Sequence, residues 1–198
     1  MTDETENSID SGRGRFRKHL TWLIGILAGV AGIVAAVVGL WPDPDFTLKA
    51  WAERADAVCD DTNGEQADAL RTAVDAWGNA LSKFKAGTAT VADFVETGDL
   101  YNKLAGVSDK QAGDLSDIQK PDRDSDEERV KVVISNFRAA NRMIYAATEK
   151  LRAVDPNNPQ VAVDGFNTKM KSYDKKAHTV NDGLSSLGAN QCVPPVNY

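Results

Sequence analysis

The run Asp122-Arg123-Asp124-Ser125-Asp126-Glu127-Glu128 comes closest, by residue type, to a chemical site in this sequence. Carboxylates at alternate positions match the first half of a calcium loop, where hard oxygen ligands surround a hard cation. The second half of such a loop needs glycine at its sixth position and a bidentate glutamate at its twelfth. Those positions hold Glu127 and Val133. Asp122, Asp124 and Asp126 are therefore candidate metal ligands only in a nonstandard arrangement. Acids gathered at a helix start also have an electrostatic use, since each meets the positive end of the helix dipole, worth about 0.3–1 kcal/mol.

The other reactive side chains are few. His178 is the only histidine after His19. It falls beside the apolar seam of its helix, and no GxSxG nucleophile motif accompanies it. No glycine loop of the phosphate- or dinucleotide-binding kind is present. Glu53, Asp56, Asp60 and Asp61 make an acidic face around Cys59, which reads as solvated helix surface rather than an acid–base pair. No catalytic residue and no cofactor are assigned. Cys59 and Cys192 have no histidine beside them and make a poor metal site. As an even pair in a segment expected outside the cytoplasm, they read as one disulfide.

That expectation rests on the N-terminal region. From Leu20 to Trp41 there are 22 residues without charge. As a helix they span roughly 33 Å, enough for a hydrocarbon core of about 30 Å. The run exceeds the usual 7–15 residues of a signal peptide's apolar region and lacks a good small-x-small cleavage site. It reads as a signal anchor, a single-pass membrane helix that stays. Arg13, Arg15, Arg17 and Lys18 crowd its N-terminal flank, while Pro42, Asp43, Pro44 and Asp45 follow it. Positive charge stays inside, so the N-terminus is expected in the cytoplasm and the remainder outside. Trp22 and Trp41 sit where amphipathic rings favour the headgroup layers. Gly25 and Gly29 form a GxxxG, a face on which a second copy of the helix could pack to make a homodimer.

The first 19 residues balance four acids against four bases, so the net charge of −6 falls on the outer part. That argues against an outer domain built to grip nucleic acid. The polar tail 1–19 is expected to be disordered, with membrane lipid as the partner of its basic cluster.

About 155 residues follow the anchor, enough for one core. They read as four helical stretches. The fourth carries Val163, Phe166, Met170, Tyr173, Ala177, Val180, Leu184 and Leu187, alternating three- and four-residue steps along one seam. Asn158-Pro159 starts it and Gly188 stops it. The third carries Val130, Val133 or Ile134, Phe137, Asn141, Ile144, Thr148 and Leu151, with a capping box expected from Ser125 and Glu128. The second runs from about Val91 to Gln119 with Val91, Phe94, Tyr101, Leu104, Gln111 or Ala112, Leu115 and Ile118, and Pro121 ends it. The first carries Leu48, Trp51, Ala55, Val58, Thr62, Leu70, Val74, Trp77, Leu81 and Phe84, with Asn63-Gly64 as a potential break and Gly87 closing it.

Short links predict an up-down-up-down four-helix bundle. Helices two to four span about 29 residues each and the first about 40, so antiparallel packing sets Cys59 level with the end of the fourth, near Cys192. The expected layout is thus a linker and helical stalk over 42–58, a bundle over 59–192 and an extended tail over 193–198.

The stretches "WAERADAVCDDTNGE", "LSDIQKPDRDSDEE" and "GLSSLGANQC" resemble those of a diffuse group of actinobacterial membrane-anchored cell-envelope proteins, most of them uncharacterised. The resemblance covers about residues 46 to 192 and implies a small helical domain outside the plasma membrane, with no mechanism attached. The expected role is a non-enzymatic binding or interaction module whose partner is an envelope protein or a small ligand. A metal-dependent or carboxylate-using envelope enzyme is the alternative. The first requires an exposed apolar groove. The second requires a pocket of converging carboxylates.

Overall fold

Each helix boundary has a local cause. The structure is a computed structural model that describes residues 45–193. Helix α1 (Leu48–Lys85) starts where the Thr47 hydroxyl accepts from the Ala50 N–H at 3.2 Å. It ends before Gly87, whose φ of 70° lies in the left-handed region that glycine alone adopts cheaply. Helix α2 (Val91–Asp117) opens with a capping box: Thr90 and Asp93 satisfy each other's backbone N–H groups. Helix α3 (Asp124–Arg152) has Arg123 at its N-cap and no side-chain cap. The expected Ser125–Glu128 box is therefore replaced by Asp124, Asp126 and Glu127 in the first turn, which meet the helix dipole. Helix α4 (Pro159–Leu187) runs from Asn158-Pro159 to Gly188, whose φ is 89°. A short 3₁₀ turn follows at Asn190–Cys192. Among the described residues there is no strand.

The polar pairs between helices fix their directions. Lys83–Asp93, Gln66–Ser108 and Thr62–Gln111 join α1 to α2 with ever larger sequence separation, so the two run antiparallel. Arg152–Asp99 and Asn141–Asp109 do the same for α2 and α3. Gly165 against Lys150 and Gly183 against Val133 do it for α3 and α4. The result is a four-helix, all-α arrangement of antiparallel neighbours. Its core falls into two clusters. One gathers Trp51, Ala55, Cys59, Leu115, Val130, Leu184 and Leu187. The other gathers Phe94, Tyr101, Leu104, Ile144, Leu151, Val163 and Phe166.

Asn63-Gly64 does not break α1, which is continuous for 38 residues. Asn63 is occupied elsewhere: its side-chain amide donates to the Gln191 carbonyl at 2.9 Å. Asp56 accepts from the Gln191 N–H at 2.7 Å. Cys59 lies between them and is bonded to Cys192, with Cα atoms 4.9 Å apart. Residues 56, 59 and 63 share one face of α1, since they are three and four positions apart. That face holds the 3₁₀ turn.

Within the span 42–58, expected as a linker and stalk, one face of the helix contributes to the core. Trp51 and Ala55 are fully buried, and Phe46 and Ala52 nearly so. The Asp122 N–H donates to the Phe46 carbonyl at 2.9 Å, and the Phe46 N–H donates to the Asp122 carboxylate. Two features absorb the excess length of α1. The α2–α3 link leaves α2 in an extended conformation at Ile118, and a few extended residues cover what would take twice as many in a helix. Leu187 also reaches well below Cys59: a Cβ at Gly188 would touch Ala52. The chain then reverses and climbs to Cys192. The indole N–H of Trp51 is buried there without a hydrogen-bond partner among the described residues.

The expected membrane helix 20–41, its flanks Arg13, Arg15, Arg17, Lys18, Trp22 and Trp41, the Gly25–Gly29 face and the tail from residue 194 lie outside the described residues. Among the described residues no helix is long and apolar enough to cross a membrane.

Candidate functional site

The two core clusters are separated by a polar layer, and the layer is where the helices part. Thr62, Gln111 and Asn141 stand at seam positions that apolar side chains would otherwise fill, and all three are buried. Burying such groups costs free energy unless each finds a partner. The Gln111 amide donates to the Thr62 hydroxyl at 2.9 Å, and that hydroxyl donates to the Val58 carbonyl at 3.0 Å. Gln66 donates to Ser108 at 3.1 Å. Asn141 donates to the Asp109 carboxylate at 2.8 Å. Two turns higher, with the Asn102 amide turned so that its nitrogen faces Thr148, Asn102 donates to that hydroxyl and its oxygen accepts from Arg152 at 2.8 Å. Arg152 also holds Asp99 at 2.5 Å.

Helix α1 packs along α2 but barely along α4. Two fastenings join α1 to the chain across from it. Above, the Trp77 ring lies 4.4 Å from that of Phe166, and Tyr101 meets Phe166 edge-on at 5.1 Å. Below is the Cys59–Cys192 bond. Between them opens a cleft of about 390 Å³. Phe137 and Ala140 of α3 and Gln111 of α2 form its floor, and Gln66 of α1 stands on one side. The α4 side presents Tyr173, Asp174, Ala177, His178 and Asn181. The lining is amphipathic: aromatic and aliphatic surface with a few amides, one imidazole and one carboxylate.

Charge at the cleft is modest. Burial pushes the Tyr101 hydroxyl up to about 12, with Asp174 and then Tyr173 adding to the rise. Tyr145 is raised by burial and by its bond to Asp109. Both phenols are neutral donors at ordinary pH.

The structure disposes of the other sequence-derived sites as follows. Cys59 and Cys192 are together. Asp122 holds Phe46, and Asp126 faces Arg129 and Arg123 at 3.4 and 4.0 Å. Asp124 only opens α3. Among the described residues no group of three His, Cys, Asp or Glu is placed to hold a metal ion. His178 lines the cleft one helical turn from Asp174. Sequence reasoning did not gather Gln66, Gln111, Tyr173, Asp174 and His178 into one place. The signal available was a polar residue at the middle of three successive seams, Thr62, Gln111 and Asn141.

Fold and site together define an all-α, disulfide-closed domain with an amphipathic cleft between its first and last helices. No family model, no curated protein and no solved structure matches the chain.

Proposed function

We propose that this protein is a non-enzymatic, membrane-anchored binding module of the cell envelope, and that the α1–α4 cleft receives its ligand. The anchor is the apolar run 20–41, which sets the helical domain outside the plasma membrane by the charge of its flanks. The resemblance to actinobacterial envelope proteins supports the same location. The observation that carries the reading is the cleft itself. Its volume of about 390 Å³ falls within the range of small-molecule pockets, and its lining mixes apolar walls with a few placed polar groups. A single carboxylate, Asp174, faces the opening. The converging acids that a carboxylate-based enzyme would need are not in this lining. The ligand is a small amphipathic molecule, uncharged or carrying one cationic group toward Asp174, and an envelope protein bearing such a group on a side chain would reach the same cleft.

The test is native mass spectrometry of the full chain extracted in neutral detergent, beside an Ala177→Trp variant that fills the cleft. A discrete co-purifying small molecule that is lost in the variant, with melting behaviour kept, supports the reading. Crosslinking in intact cells extends it to protein partners. A wild-type protein that carries no such molecule, captures no crosslinked partner and hydrolyses an envelope substrate would reverse it.

A further inference from the structure

A second surface stands apart from the cleft. On α3 the residues Lys131, Ser135, Arg138 and Arg142 follow one another by four, three and four positions, which sets them on one stripe of the helix. All four are exposed. Ser116 at the C-terminal end of α2 and Lys120 in the link just after it supply the facing wall, and Ile134 completes the lining. Together they line a groove of about 320 Å³. The lining holds four cations, two hydroxyls and no acid.

This clustering runs against the character of the domain, in which acids outnumber bases. Many other cations are neutralised locally: Lys49, Arg71, Lys83, Arg123, Arg129 and Arg152 each face a carboxylate. In the groove, Lys131 meets Glu127 at 2.9 Å. The Lys120 ammonium donates to the Ser116 and Ile118 carbonyls and so closes the end of α2. Arg138 and Arg142 make no ion pair among the described residues. Two unpaired guanidiniums one turn apart repel each other, and a planar fork of donors is the usual partner of an oxyanion.

We infer that this groove binds an extended polyanion, with Arg138 and Arg142 as its central contacts. The length of the stripe selects against a single small anion. Lys131 and Arg142 are eleven residues apart, about 16 Å along the axis. One phosphate cannot touch both, whereas a chain with an anionic group at least every ~6–10 Å can.

The test uses the full chain in neutral detergent and long-chain inorganic polyphosphate as the probe, read by fluorescence anisotropy across a salt series. With three to four contacts at about 0.7 each, the logarithm of affinity falls against that of salt with a slope of about −2 to −3. Arg138→Gln with Arg142→Gln lowers affinity at least about tenfold at low salt and reduces the slope by about 1.4. Lys169→Gln with Lys171→Gln, on the exposed part of α4, leaves both unchanged. Equal binding by the arginine double variant overturns the inference, as does an equal loss in the lysine control. Competition by orthophosphate at matched phosphate concentration would make this a single-anion site and also overturn it. Binding to phosphatidylglycerol vesicles without binding to polyphosphate would assign the surface to lipid and overturn it as well.

Discussion

Gly183 of α4 rests against Val133 of α3 so closely that a Cβ on the glycine would stand 2.7 Å from Val133 Cγ2. Valine in a helix has one strongly preferred rotamer and cannot swing aside cheaply. Gly183→Ala gains up to about 1 kcal/mol of helix propensity and loses about 1–3 kcal/mol to overpacking. A net loss of stability is expected in urea unfolding, and Val133→Ala in the same chain restores part of it. A stabilised Gly183→Ala would mean that α3 and α4 part readily.

Gly106 and Gly113 on α2 are the opposite case: a methyl group added at either would meet nothing within 4 Å. Each replacement by alanine is expected to stabilise by about 0.5–1 kcal/mol, since it removes backbone freedom from the unfolded chain only. Gly98, whose added Cβ would lie 3.4 Å from the Thr148 carbonyl oxygen, gains less. Midpoints of denaturant unfolding order the three.

The Cys59–Cys192 bond spans 133 positions. Chain entropy values such a crosslink at about 5 kcal/mol, an upper figure. Cys59→Ala with Cys192→Ala is expected to lower the denaturation midpoint strongly while leaving the helical circular dichroism of the folded state in place. A shift equivalent to less than about 1 kcal/mol would show that α1 and the 3₁₀ turn are held by Asp56 and Asn63 instead.

Acid acts on the α1–α2 hairpin. Asp93 is held far below the usual carboxylate range, first by its hydrogen bond from Lys83, then by those from Thr90. A depressed carboxylate contributes stability that is present above its unfolded value, near 3.8, and is lost as pH falls below it. Stability is therefore expected to drop in this acid range, and Asp93→Asn flattens the drop. An unchanged acid profile in the variant would refute the assignment.

Alkali acts on the upper core. The Tyr101 hydroxyl is raised from 10.0 to about 12. The unfolded chain then loses its proton first, so stability is complete below pH 10 and declines from there to about 12. Absorbance at the phenolate band should show a late step near pH 12 from Tyr101, and Tyr101→Phe should remove that step.

Most helix limits were legible because they depend on neighbours in sequence: Asn158-Pro159, Gly87 and Gly188 act within one turn. Thr62, Asn141 and Thr148 stood on the seams read from spacing, and Gln111 shared its place there with Ala112, but the buried layer they make together comes from packing. The base of the bundle was not legible. Counting helix lengths assumes that links consume no height, and the extended chain after Ile118 and the reversal at Gly188 both do. The cleft was hidden for a related reason. Its existence depends on the separation of α1 from α4, which no pattern within either helix encodes. The stripe from Lys131 to Arg142 lies in plain view at helical spacing, but the opposing Ser116 and Lys120 come from the packing of α2.

The sulfur bridge between positions 59 and 192 also decides what happens when the domain is pulled or cut. A load applied between the segment before Cys59 and the tail after Cys192 passes through the first turns of α1 and the bridge, and the 132 residues between the cysteines bear none of it. A protease that nicks any one loop between them opens that ring but leaves the two fragments joined through the disulfide, so the severed chain stays together until a reductant reaches the sulfurs.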